Sequence, residues 1–202
     1  MLRGVDCEEP AEQVMDRVIL ITGPKHSGKS LCAEALEETT GGEAFDLDEL
    51  VETQTGKTPR ELFKMGVESF RKAEAQALYF ALKSSEEKSE GNQRLRIIAA
   101  GGGLIDNSEA LALITESPVA RREIITVYLD VSAETAWRRI LDTAVGGELP
   151  PFLNTENPRE AHLALHKRRA EAYKVLADVI ILAENKSPKE LAGEIAAYLE
   201  LS

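Results

Sequence analysis

The octapeptide Gly23-Pro-Lys-His-Ser-Gly-Lys-Ser30 fits the pattern G-x-x-x-x-G-K-[ST], a loop that binds phosphate groups. The preceding residues 18–22 are short, β-branched and apolar, which is typical of a buried parallel strand. Residues 31–36 favour a helix. A strand, a loop and a helix in this order direct backbone N–H groups and the positive end of the helix dipole at one phosphate group. The stretch therefore predicts a nucleotide-binding P-loop fold.

Each residue type in this loop has a predicted task. Two glycines permit the tight turns that let the backbone surround a phosphate. Lys29 is expected to reach the β- and γ-phosphates of a nucleotide, and the Ser30 hydroxyl to bind Mg²⁺. The predicted nucleotide-binding residues of the loop are Gly23, His26, Ser27, Gly28, Lys29, Ser30 and Leu31.

The length and net charge of the chain limit the number of domains and the kinds of partner that we expect. The chain has 202 residues and a formal net charge of −11. That length predicts one domain, residues 17–202, after an N-terminal extension at residues 1–16. The acidic balance argues against a nucleic-acid or membrane surface as partner. Two isolated cysteines and the lack of a signal-peptide pattern indicate a reducing, cytoplasmic location, and we expect a monomer.

The rest of the chain alternates between strand and helix patterns. Such alternation predicts an α/β fold in which helices cover both faces of a parallel sheet. Strands are predicted at residues 44–46, 95–100, 124–129 and 179–182, and a polar loop at residues 84–93. Helices are predicted at residues 58–83, 108–115, 132–141 and 157–176, and from residue 187 to the end of the chain.

One segment, residues 142–157, has neither a strand nor a helix period. It contains Gly146-Gly147 and Pro150-Pro151. Long loops without their own secondary structure are commonly functional. Beside a phosphate loop, we interpret this segment as a mobile lid that is hinged at the glycines. Phe152 and Leu153 are expected to press on a ligand, and a plain surface loop is the alternative.

Acidic residues and glycines follow two other predicted strands. Asp46 and Asp48 are expected on one side of an extended chain, where one carboxylate orders Mg²⁺ and the other accepts a proton from a substrate hydroxyl. The glycine run 101–103 follows the next strand, where it either lets the backbone approach a ligand or marks a tight turn.

Two arginines complete the set of candidate residues. Arg71 lies on the long predicted helix, with Glu74 three residues later and able to orient its guanidinium. Arg169 lies in the run Lys167-Arg-Arg169. Each alone is compatible with a solvated surface charge, whereas together they can clamp a small carboxylate.

Taken in order, these features resemble the shikimate kinase family. The resemblance covers residues 17–199 and includes the phosphate loop, Asp46-Leu-Asp48, Phe70-Arg71, the glycine run and Arg169. It implies a nucleoside-monophosphate-kinase-like fold with a five-stranded parallel sheet. It also implies transfer of phosphate from ATP, with Mg²⁺, to the 3-hydroxyl of shikimate.

The resemblance also assigns roles to residues. Asp46 looks like the acid in the second shell of Mg²⁺, and Asp48 like the carboxylate that holds the substrate hydroxyls and acts as base. Pro188 and either Arg138 or Arg139 look like the residues that flank adenine. The residues that look like shikimate ligands are Asp48, Arg71, Gly101, Gly102, Gly103 and Arg169.

The predicted lid departs from the family pattern. The family has an arginine in the lid that reaches the transferred phosphate, and Pro150 stands in its place here. No lysine or arginine occurs at residues 143–158. Three interpretations remain open. Another cation, such as Arg139, Arg159 or Lys167, replaces it; the acceptor is another small hydroxy acid, such as gluconate; or the chain binds its ligands with little turnover.

Overall fold

The computed structural model describes residues 17–83, 95–116, 123–144 and 148–201. The predicted N-terminal extension, the polar loop at residues 84–93 and the hinge glycines of the predicted lid lie outside the described residues. No described helix is long and apolar enough to cross a membrane.

Five parallel strands form one sheet in the order β2-β3-β1-β4-β5. This arrangement confirms the predicted five-stranded parallel sheet. The strands are β1 Arg17–Thr22, β2 Glu43–Asp46, β3 Leu95–Ala99, β4 Glu123–Asp130 and β5 Val179–Leu182. The helices are α1 Lys29–Thr40, α2 Leu47–Thr55, α3 Pro59–Met65, α4 Val67–Lys83, α5 Ser108–Thr115, α6 Ala133–Thr143, α7 Pro158–Leu176 and α8 Pro188–Tyr198.

Helices cover both faces of the sheet, so the central strand β1 is apolar on both sides. Ile19 and Ile21 pack into a core that includes α1 and α8, whereas Val18 and Leu20 pack into a second core with α2 and α4. Because the strands are parallel, the segments that follow β1, β2 and β3 meet at one edge of the sheet. The phosphate loop, the aspartate pair and the glycine run are therefore brought together.

The sequence-based expectation for the aspartate pair is wrong in one respect. Strand β2 ends at Asp46, and the chain then enters α2, a helix that the sequence analysis missed. The Asp46 carboxylate caps this helix by accepting hydrogen bonds from the backbone N–H groups of Asp48 (2.8 Å) and Glu49 (3.4 Å). Asp48 consequently lies in the first turn of a helix and not on an extended chain.

The prediction of one long helix at residues 58–83 is also wrong, because the structure has two helices there. Its start is as predicted, with a capping box between Thr58 and Glu61. Gly66 then adopts a φ of 139°, which ends α3 before α4 begins. The break turns the chain between α3 and α4, and both helices contribute residues to the core that includes Val18 and Leu20.

Candidate active site

The phosphate loop has the backbone geometry of an anion cradle. Gly23, His26 and Gly28 all have positive φ angles, of 145°, 61° and 100°. A Cβ atom on Gly23 would lie 2.8 Å from the Leu129 carbonyl oxygen and 2.9 Å from Ser27 Oγ. Only glycine fits there, so the loop keeps its shape through this residue.

Lys29 is the first residue of α1, and its side chain is almost fully buried. Its Nζ donates a hydrogen bond to the Pro24 carbonyl oxygen at 2.8 Å. Burial lowers the pKa of Lys29 to about 8, an effect that the Asp48 carboxylate opposes and the neighbouring Lys25 reinforces. The ammonium therefore remains mainly charged at neutral pH, and a bound anion would raise its pKa.

Ser30 and Asp46, the two residues predicted to hold magnesium, lie in direct contact. Ser30 Oγ donates to Asp46 Oδ2 at 2.5 Å, so both oxygens converge on one point beside the phosphate loop. No cluster of three or more acidic, histidine or cysteine ligands occurs in the described part of the chain. Mg²⁺ commonly binds through one or two protein oxygens together with substrate phosphates and water. The pair fits this mode of binding.

Two carboxylates share the space beside the glycine run. A Cβ atom on Gly101 would lie 2.6 Å from Glu74 Oε1 and 3.3 Å from Asp48 Oδ1. Burial raises the pKa of Asp48, as does the negative charge of Asp46, whereas Lys25 and Lys29 lower it. Gly101 thus leaves room for the proposed base.

Glu74 has a different environment from the one predicted. The sequence suggested that it orients Arg71, but Arg71 Nη1 lies 3.3 Å from Glu68 Oε1 on the same helix. Glu74 is only 1% exposed, and its Oε2 accepts a hydrogen bond from Asn107 Nδ2 at 2.9 Å. Its Oε1 has no hydrogen-bond donor among the described residues. Burial raises the pKa of Glu74 to about 7.

We expect the Glu74→Gln variant to be more stable than the wild type above pH 7. The folded protein holds the Glu74 proton up to about pH 7, whereas the unfolded chain loses it near 4.5, so wild-type stability falls as the pH rises between these values. The loss amounts to about 3 kcal/mol. Urea unfolding at pH 4.5, 6 and 8 measures it, with Glu68→Gln as the exposed control on the same helix. Equal pH dependence in Glu74→Gln and wild type would contradict this expectation.

Arg169 is held in place by groups that the sequence analysis missed. Its Nε donates to Asp106 Oδ2 at 2.9 Å and its Nη1 to the Gly102 carbonyl oxygen at 2.8 Å. Arg168 binds the same Asp106 carboxylate through two hydrogen bonds, of 2.6 and 3.0 Å. The Phe152 ring of the predicted lid lies 5.7 Å from the Arg169 guanidinium. Asp106 therefore fixes a cation directly beside the glycine run.

A cavity of about 850 Å³ joins the phosphate loop to this arginine, and its volume suits a nucleotide and a small second ligand. Three predicted site residues, Gly23, Arg71 and Arg138, are not among the described residues that line it, and their roles stay predictions. The predicted site residues that do line the cavity are His26, Ser27, Gly28, Lys29, Ser30, Leu31, Asp46, Asp48, Gly101, Gly102, Gly103, Arg139, Arg169 and Pro188.

The described part of the predicted lid borders one side of the cavity. Arg60, on α3, binds Glu148 Oε2 at 2.5 Å and the Leu149 carbonyl oxygen at 3.4 Å. Both this arginine and Phe152 line the cavity. This segment is therefore not a plain surface loop, because its side chains contact both α3 and Arg169.

The fold and site define a P-loop phosphotransferase that acts on an alcohol group. The family model for shikimate kinase matches residues 25–200. The chain is 31% identical to the shikimate kinase of Corynebacterium diphtheriae over 185 residues, which are 91% of this chain and 94% of that protein. It is also 31% identical to the shikimate kinase of Lactococcus lactis over 178 residues, 88% of this chain and 94% of the relative. The chain belongs to the shikimate kinase family.

Solved structures agree with this assignment. Shikimate kinase from Acinetobacter baumannii in complex with shikimate superposes with a TM-score of 0.73 and 25% identity, covering 93% of this chain and 95% of that chain. A gluconokinase from Sinorhizobium meliloti has a TM-score of 0.51 and 15% identity over 92% of this chain and 97% of its own, a likeness that shows the fold alone.

Proposed function

We propose that the protein transfers the γ-phosphoryl group of ATP to the 3-hydroxyl of shikimate. One observation supports the proposal: a single cavity is lined by residues of the phosphate-loop motif and also by Asp48, Gly102 and Arg169. The first set suits a nucleotide, and the second suits a hydroxylated carboxylic acid.

The residues of the site have distinct tasks in this reaction. The loop N–H groups and Lys29 hold the triphosphate, and Arg169 binds the carboxylate of the acceptor. Asp48 holds the reacting hydroxyl and accepts its proton as the new phosphorus–oxygen bond forms. Ser30 and Asp46 would hold Mg²⁺, which when bound neutralises charge on the phosphate oxygens.

An ADP-coupled assay with millimolar shikimate tests the proposal. We expect shikimate-dependent turnover of about 1–100 s⁻¹, the usual range of such kinases. Parallel reactions with gluconate and without acceptor separate the proposed acceptor from another hydroxy acid and from ATP hydrolysis. If ADP release does not depend on shikimate, the proposed reaction is wrong.

One sequence observation favours a second candidate, a protein that binds nucleotide and acid but transfers phosphate slowly. The predicted lid carries no lysine or arginine. Calorimetry would then show ATP binding while the coupled assay shows little turnover. The predicted monomeric state and cytoplasmic location belong to both candidates and stay predictions.

A further inference from the structure

The cavity contains several cations that are already engaged by protein groups. Among the described residues, six lysine or arginine side chains line it, and five of them contact protein oxygens. These are Lys29 with Pro24, Arg60 with Glu148, Arg139 with His26, Arg169 with Asp106 and Lys186 with Glu194. Two cations that the sequence offered as substitutes for the lid arginine, Arg159 and Lys167, are not among the described lining residues.

The sixth cation is Lys25, in the phosphate loop. Its side chain is exposed and makes no hydrogen bond or ion pair with any described residue. The Lys25 backbone lies against the glycine run, because a Cβ atom on Gly102 would be 2.9 Å from Lys25 N. Lys25 also lines a small second cavity beside Arg169 and Tyr173. It stands where the phosphate side and the acid side of the site meet.

The positive charge of Lys25 affects two other residues of the cavity, Asp48 and Lys29. It lowers the pKa of the Asp48 carboxyl more than Lys29 does, and it also lowers the pKa of Lys29. Coulombic effects weaken with distance, so the Lys25 ammonium belongs to the same group of charges as Asp48 and Lys29. Arg60, by contrast, is held at the lid by the Glu148 carboxylate.

We propose that Lys25 supplies the cation that stabilises the transferring phosphoryl group, in place of the lid arginine that this chain lacks. The inference rests on the proposed kinase function. As the bond between the γ-phosphorus and the oxygen of ADP breaks, a bond forms between that phosphorus and the acceptor oxygen. The hydroxyl proton passes to Asp48, and Lys25 keeps its proton throughout. Its positive charge offsets the negative charge on the oxygens of the phosphoryl group.

The test compares Lys25→Met, Lys25→Arg and Lys72→Met in steady-state assays with shikimate and ATP. Methionine retains the length of the side chain without its charge, and Lys72 is an exposed lysine on α4 outside the cavity. We expect Lys25→Met to lower kcat about 100-fold, since a single well-placed donor is worth that much. The KM for shikimate and the calorimetric Kd for ATP should change less than about threefold, because the interaction acts mainly in the transition state. Lys25→Arg should recover most of kcat, and Lys72→Met should match the wild type.

Two results would overturn the assignment. One is a Lys25→Met variant with wild-type kcat, especially if Arg60→Met loses activity instead. The other is a loss confined to ATP affinity, which would make Lys25 a ground-state ligand. A wild-type protein without shikimate-dependent turnover is a separate result, because it refutes the proposed function before any variant is compared.

Discussion

Replacing Lys29 with alanine is expected to lower kcat/KM for ATP-dependent phosphoryl transfer by about 10³–10⁵-fold, the usual effect of a cation on the transferred phosphoryl group. Lys29 is the buried cation of the phosphate loop, and its Nζ is held at 2.8 Å by the Pro24 carbonyl oxygen. At a buried position such as that of Lys29, one positive charge on the phosphates has a much larger effect than in solution. The coupled assay measures the loss, and calorimetry with ATP separates binding from chemistry.

The matched control for this prediction is Lys72→Ala, which removes an exposed lysine from α4. We expect this variant to keep wild-type activity. Thermal unfolding of Lys29→Ala shows whether the fold persists, because the substitution also removes a buried charge and its hydrogen bond. Near-normal activity in a folded Lys29→Ala protein would contradict the assignment of residues 23–30 as the phosphate loop.

The sequence predicted the sheet well because its signals are local. Each strand except the second is a short apolar run, and buried parallel strands have this composition because both faces are covered. Helices α3 and α8 were marked at their starts by Thr58 and Ser187, each with a glutamate three residues later that completes a capping box. Residues 18–22 were identified by their apolar, β-branched composition, and residues 29–30 by the motif.

Two sequence-based predictions of secondary structure are wrong, one at Asp46 and one at Gly66. Asp46 was interpreted only as a ligand, although it also caps α2, and an aspartate before a helix is a known start signal. Gly56, with a φ of 65°, ends the same helix and was a further sign of it. Gly66 interrupts a continuous helical pattern, and its positive φ could not be read from a single sequence.

Contacts across the fold were beyond the sequence because they join distant segments. Asp106 lies 63 residues before Arg169, and nothing local marks it as the partner of an arginine. The same holds for Arg60 and Glu148, which are 88 residues apart. That Lys25 makes no hydrogen bond or ion pair with a described residue, unlike the other cations of the cavity, is visible only in the structure.

Asp48→Asn should lower kcat by about 10²–10⁴-fold, the range that general-base catalysis usually contributes. Asparagine keeps the shape of the side chain and its space beside Gly101 but cannot accept the hydroxyl proton. The matched control is Glu49→Gln, which neutralises an exposed carboxylate in the same turn of α2. Glu49→Gln is expected to stay within twofold of the wild type in the coupled assay.

The pH dependence of kcat/KM in the wild type, Asp48→Asn and Glu49→Gln decides whether Asp48 acts as the base. Burial and the charge of Asp46 raise the pKa of Asp48, so its carboxylate forms at higher pH than that of an ordinary aspartate. Wild-type kcat/KM should therefore fall on the acid side at a pH above the usual aspartate range, since the protonated form cannot accept a proton. That acid limb should vanish in Asp48→Asn and persist in Glu49→Gln. If the acid limb survives in Asp48→Asn, another group accepts the proton. Glu74, which has a pKa of about 7 and lies beside Gly101 as Asp48 does, would then be the next residue to replace.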